Sequence, residues 1–127
     1  VEPRVPGVLV IDDEPGVRSL LQAALPRYGF QVFSAASGSE ALALYSEHRT
    51  EIAAVLLDVQ MPGLDGPQTL RTLQAIDPQV RCCFMSGNLG NYNEEELLDL
   101  GAALVIPKPF RLAEVIEALQ RLAGTWP

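Results

Sequence analysis

AAVLLDVQMPGLDGPQTLRTLQAI, residues 53–76, sets the fold of this chain. Its first five residues are continuously apolar, which is the pattern of a strand buried on both faces. Asp58 stands immediately after that run. Asp65 is then placed to cap a helix that carries Leu70, Leu73 and Ile76 on one face, with Pro78 beyond its end. The stretch reads as a strand, a carboxylate at its end, and a helix returning along the sheet.

The same unit recurs outward in both directions. GVLVI (residues 7–11), QVFSA (31–35), VRCCFM (80–85) and ALVI (103–106) are the other strand candidates. Helix-period segments separate them, the alternation expected of a parallel sheet covered by helices. Pro15 suits the first turn of a helix bearing Val17, Leu20, Leu21, Ala24 and Leu25, and Gly29 suits its stop. Ser37 and Glu40 have capping-box spacing ahead of Ala41, Leu42 and Leu44, and Asn93 and Glu96 repeat it before Leu97 and Leu98. Leu112, Val115, Ile116, Leu119 and Leu122 form one face of a last helix. The expectation is α/β, (βα)5, doubly wound, in one domain over residues 1–127. The core spans about 7–123, and the Pro- and Gly-bearing tails outside it are read as frayed ends.

Bulk properties narrow the function. A chain of 127 residues with 48 % hydrophobic and 20 % charged residues has an ordinary globular balance. Sixteen acidic against nine basic residues give a formal charge of −7, which opposes nucleic-acid binding, since phosphate backbones are held by clustered Lys and Arg. No apolar run reaches membrane-spanning length and no signal-peptide pattern precedes the first strand. A cytoplasmic location is expected. The sequence begins at Val1 rather than Met, as a piece trimmed from something longer would. Cys82 and Cys83 are adjacent on a strand, point to opposite faces and are read as buried thiols.

In a doubly wound sheet the site lies beyond the carboxyl ends of the strands. The first run ends in Asp12 and Asp13, the third in Asp58, the fourth in Ser86, and Lys108 follows the fifth. An Asp-Asp pair alone would be a loop or a cap, Ser86 a turn residue and Lys108 a surface charge. Their coincidence at four strand ends points instead to a site. Three crowded carboxylates repel one another unless a cation intervenes, and oxygen ligands with room for water suit Mg²⁺. Such an ion could bridge Asp58 and an incoming phosphoryl group, with Lys108 and Ser86 holding its other oxygens. Gly87 leaves room for entry.

VLVIDDEP (residues 8–15), LLDVQMPGLDG (56–66), MSGN (85–88) and PKPF (107–110) resemble the four signature segments of the receiver domains of two-component response regulators. The resemblance spans residues 7 to about 123, and LLDVQMPGLDG is its most specific part. It implies a flavodoxin-like strand order 2-1-3-4-5 with helices on both faces. It implies Asp58 as phosphoacceptor, and Asp12, Asp13, Asp58 and the backbone carbonyl of Gln60 as the Mg²⁺ (or Mn²⁺) set, Asp13 being the more direct ligand of the acidic pair. Ser86 and Lys108 would hold phosphoryl oxygens, with the Lys108–Pro109 bond cis. The donor would be a phosphohistidine on a sensor histidine kinase or histidine phosphotransfer domain, and the output an effector domain or partner protein. The chain would take part in its own phosphorylation and dephosphorylation without being a turnover enzyme. His48, far from the cleft, is read as a surface residue. A homodimer through the fourth helix, fifth strand and fifth helix is left open.

One position departs from the family. Val105 stands where an aromatic usually occupies the fifth strand, so the usual aromatic switch is in question, and Tyr92 is a substitute for part of its role. Two other classes fit less well. A haloacid-dehalogenase-like phosphatase would have a second Asp where Gln60 stands. A flavodoxin-like FMN module would need a Ser/Thr/Gly-rich loop in place of the acidic DDEPG. A degenerate receiver serving only to bind protein is opposed by the complete acidic set and Lys108.

Overall fold

The computed structural model describes residues 5–124; most of the tails read as frayed ends lies outside them. Five parallel strands, β1 (Gly7–Ile11), β2 (Gln31–Ala35), β3 (Ile52–Asp58), β4 (Cys82–Ser86) and β5 (Leu104–Pro107), form one sheet in the order β2-β1-β3-β4-β5. Five helices connect and follow them: α1 (Pro15–Ala24), α2 (Gly38–His48), α3 (Gly66–Ile76), α4 (Glu94–Asp99) and α5 (Leu112–Ala123). The (βα)5 expectation and the flavodoxin-like order are both observed. Among the described residues no helix is long and apolar enough to cross a membrane.

Alternation of side chains across the strands divides the core in two. Leu9, Ile11, Val55, Leu57, Cys82 and Phe84 face α2, α3 and α4, meeting Ala41, Tyr45, Leu70, Leu73 and Leu97. Val8, Val10, Ala54, Leu56, Cys83 and Met85 face α1 and α5, meeting Leu21, Val115 and Leu119. Full burial of such an aliphatic side chain contributes about 1.5–3 kcal/mol, so the two layers fix which strand ends lie side by side. The three central strands are buried along their whole length, whereas β2 and β5 are edge strands with exposed positions. That explains why QVFSA is the least apolar of the five runs. The cysteine thiols lie on opposite faces, and burial raises both, Cys83 to about 12.

Local signals set the element ends. Pro15 opens α1, but Pro26 cannot donate to the preceding turn, and the helix tightens into a single 3₁₀ turn, Leu25–Tyr28, before stopping at Gly29 with φ 89°. Asp65 caps α3 and Gln68 returns the bond, a full capping box. Asn93 and Glu96 do the same for α4. The α2 box is only half formed: Ser37 accepts from Glu40 N, while the Glu40 carboxylate reaches past it to Ala36 N. His48 is half-buried rather than a plain surface residue, because its ring lies 4.6 Å from that of Phe33 and its Nδ1 sits 2.6 Å from Glu51.

Candidate functional site

Strand register brings the polar strand ends together. Ile11 is level with Leu57, so Asp12 and Asp58 follow on neighbouring strands. Asp58 is level with Met85, and Ser86 with Pro107, which puts Ser86 and Lys108 next in line. One oxygen from each of Asp12, Asp13 and Asp58 lies within 4.8 Å of the others. Asp12 is fully buried, Asp58 nearly so, and Asp13 is exposed at the mouth.

Lys108 enters this cluster with its side chain only 14 % exposed. Its Nζ donates to Asp12 Oδ2 at 2.7 Å, and lies 3.6 Å from Asp58 Oδ1 and 3.5 Å from Glu14 Oε1. Burial pulls the ammonium's pKa down, but the bond to Asp12 and the charges of Asp12, Asp58 and Glu14 outweigh it and hold the group above its ordinary value. Asp58 moves the other way from a normal carboxylate. Loss of solvent and the adjacent Asp12 charge raise it to about 6, with Lys108 opposing and Asp13 adding to the rise.

The surrounding backbone fixes these groups. Glu14 N donates to Asp12 Oδ1 at 2.9 Å, and Arg18 Nη1, from α1, donates to the Asp12 carbonyl at 2.7 Å. Lys108 N donates to the Ser86 carbonyl at 2.8 Å, and the Lys108–Pro109 peptide is cis. Asn88 N donates to Ser86 Oγ at 3.1 Å, which leaves the hydroxyl hydrogen available to another acceptor. Gly66 N donates to the Val59 carbonyl. A Cβ at Gly66 would run into the Asp58 carbonyl and stand 2.8 Å from Val59 Cα, so only glycine lets α3 start this close to Asp58.

The donor set suits a hard divalent cation: carboxylate oxygens only, clustered, one of them destabilised as an anion by its neighbours. Gln60 lies in the loop after Asp58, and its Nε2 donates to the Leu89 carbonyl at 3.2 Å. An amide does not exchange a proton near neutral pH, so Gln60 cannot serve as a second acid/base group beside Asp58. All sequence-selected positions therefore lie at one edge of the sheet, and His48 belongs elsewhere. Sequence reading missed Arg18, whose place four residues after Glu14 on α1 is its only trace, and the Glu14 contact with Lys108.

Comparison with known proteins agrees with this geometry. Residues 8–120 match the family described as the response regulator receiver domain. Sporulation initiation phosphotransferase F of Bacillus subtilis is 34 % identical over 116 residues, covering 90 % of each chain. The transcriptional regulatory protein PrrA of Mycobacterium tuberculosis is 37 % identical over 117 residues, 92 % of this chain; the match spans 49 % of PrrA, about half its length. Among solved structures, a chain of the CheX–CheY–BeF3–Mg²⁺ complex from Borrelia burgdorferi superposes with a TM-score of 0.85 at 29 % identity, covering 92 % of this chain and 88 % of that one. This chain belongs to the response regulator receiver domains of two-component signalling.

Proposed function

We propose that Asp58 accepts a phosphoryl group from a phosphohistidine on a sensor histidine kinase or histidine phosphotransfer domain, in a Mg²⁺-dependent (or Mn²⁺-dependent) reaction. The observation that carries this reading is the convergence of Asp12, Asp13 and Asp58 within 4.8 Å, with Lys108 Nζ 3.6 Å from Asp58. One Asp58 oxygen attacks phosphorus, the P–N bond breaks, and its electron pair returns to the imidazole. Asp58 has to be ionised to attack, and its pKa near 6 leaves it mostly so at neutral pH.

Asp12, Asp13, Asp58 and the Gln60 backbone carbonyl would hold the cation, with Asp13, exposed at the mouth, the more direct ligand of the pair. When bound, Mg²⁺ would neutralise charge on the transferring group. Lys108 already sits between Asp12 and Asp58 and can pair a phosphoryl oxygen. Ser86 has a hydroxyl hydrogen to offer another. Half-buried or exposed apolar side chains, Val17, Leu20 and Phe110, line the surface beside Lys108, and a protein donor would pack there more readily than a small solute. We read the chain as a cytoplasmic signalling domain; its −7 charge opposes nucleic-acid binding by the chain itself, so the effector would be another domain or protein. The chain would act as a phosphoacceptor rather than as a turnover enzyme on an outside substrate, and we read it as one receiver domain.

Incubation with acetyl phosphate tests the reading by intact-mass spectrometry. One phosphoryl group should be added with Mg²⁺, none with chelator, and none in Asp58→Asn. Labelling of the Asn variant at the wild-type level would overturn it.

A further inference from the structure

Residues 87–93, between β4 and α4, touch the loop that follows Asp58 at two points. Gln60 Nε2 donates to the Leu89 carbonyl at 3.2 Å, and the Tyr92 hydroxyl donates to Asp65 Oδ2 at 2.8 Å. Leu89 is the junction, because its carbonyl also accepts from Tyr92 N at 3.1 Å. Gly90 lies directly against the Gln60 amide, and its φ of 63° is a backbone conformation that favours glycine. Each contact crosses between the two loops, and neither is needed to close a helix or the sheet: the α3 cap uses Asp65 Oδ1, not Oδ2.

The near end of the same loop is tied to the site. Asn88 N donates to Ser86 Oγ, and Gly90 N to Asn88 Oδ1 at 2.8 Å. If the Ser86 hydroxyl turns toward a group on Asp58, it draws Asn88 with it, and Leu89 cannot follow while Gln60 and Tyr92 hold it. A ligand shifts an equilibrium only through contacts that differ between the states. Val105, half-buried against the same core layer as Leu89 and Tyr92, is too short to swing between buried and exposed positions.

We propose that Tyr92 and Gln60 are positioning residues that pin residues 87–93 to the loop after Asp58, and that the group added to Asp58 must break this hold to move the loop. The inference rests on the reading of Asp58 as phosphoacceptor. The latch opposes the liganded state, so loosening it favours that state.

The test uses beryllofluoride with Mg²⁺ as the probe, in wild type, Tyr92→Phe, Gln60→Met and the double variant, followed by backbone amide signals. Tyr92→Phe removes only a hydroxyl, and a hydrogen bond of ordinary net worth predicts about three- to tenfold tighter beryllofluoride binding. Its affinity for Mg²⁺ alone should equal that of wild type. Without beryllofluoride, its amides of residues 87–93 should already lie part of the way toward the bound positions. A purely structural role for Tyr92 would move none of these in that direction. The double variant should gain less than the product of the two single gains, because both bonds hold residues 87–93 to the loop after Asp58, one through Leu89 and the other through Tyr92. Wild-type or weaker affinity in Tyr92→Phe with unshifted loop amides overturns the latch, as does a fully multiplicative double variant. Failure of wild type itself to take up beryllofluoride overturns the Asp58 reading instead, and is distinguished by the unmutated chain.

Discussion

Replacing Asp58 by asparagine should stabilise the metal-free protein at neutral pH. Burial and the Asp12 charge raise the Asp58 pKa from 3.8 to about 6. Below pH about 3.8 the group is protonated in both folded and unfolded chains, and the stabilisation associated with this rise is fully present. It is lost as the pH climbs through about 6, where the folded protein must hold a buried anion that the unfolded chain solvates. The rise corresponds to about 3 kcal/mol at pH 7.5. Asparagine never ionises and avoids that loss; the value of about 6 already contains the opposing attraction of Lys108 at 3.6 Å, and discounting for solvent screening at the cleft leaves a net gain of about 1–2 kcal/mol. Urea unfolding of both proteins in chelator, at pH 3.5 and pH 7.5, reads the effect, since Asp58 is protonated at the lower pH and ionised at the higher. Asp58→Asn should have the higher midpoint at pH 7.5, with the advantage vanishing at pH 3.5. Saturating Mg²⁺ should reverse the order by stabilising wild type, by about 2.7 kcal/mol at a hundred times Kd. An Asn variant equal to or weaker than wild type at pH 7.5 in chelator would refute the reasoning.

Three further outcomes are expected. Asp13→Ala should weaken Mg²⁺ binding at least about tenfold by calorimetric titration, with little change in unfolding midpoint, because Asp13 is exposed. Lys108→Ala should cost about 1–3 kcal/mol in urea unfolding, since it strips fully buried Asp12 of its 2.7 Å partner; beryllofluoride should then leave its loop amides unshifted. Gly66→Ala should cost about 1–3 kcal/mol, because its Cβ meets the Asp58 carbonyl and Val59, and thermal unfolding reads that directly.

The layered fold and the strand-end site were legible because both depend on period and position. Apolar runs mark strands whatever their partners, and in a parallel sheet a residue just past a strand falls at the same edge as its counterparts. Contacts made by rotamer choice and tertiary approach were not legible. Lys108, as a lone residue, reads as a solvated charge, and only the register of β5 beside β4 sends it into Asp12. Arg18 is an ordinary residue in sequence, and Tyr92 stands out only as an aromatic able to replace the missing one; their bonds to the Asp12 carbonyl and to Asp65 need α1 and the β4–α4 loop in place first. His48 carried a helix-end position but no hint that Phe33 of edge strand β2 would lie under its ring.

Trapping the phosphorylated residue tests the central claim most directly. Borohydride reduces an aspartyl phosphate to homoserine, so reduction after acetyl phosphate and Mg²⁺ treatment marks the acceptor permanently, and tandem mass spectrometry of the peptides locates it. The account predicts homoserine at position 58 alone, in Mg²⁺-dependent yield. Homoserine at position 12 or 13 with position 58 unmodified would contradict it.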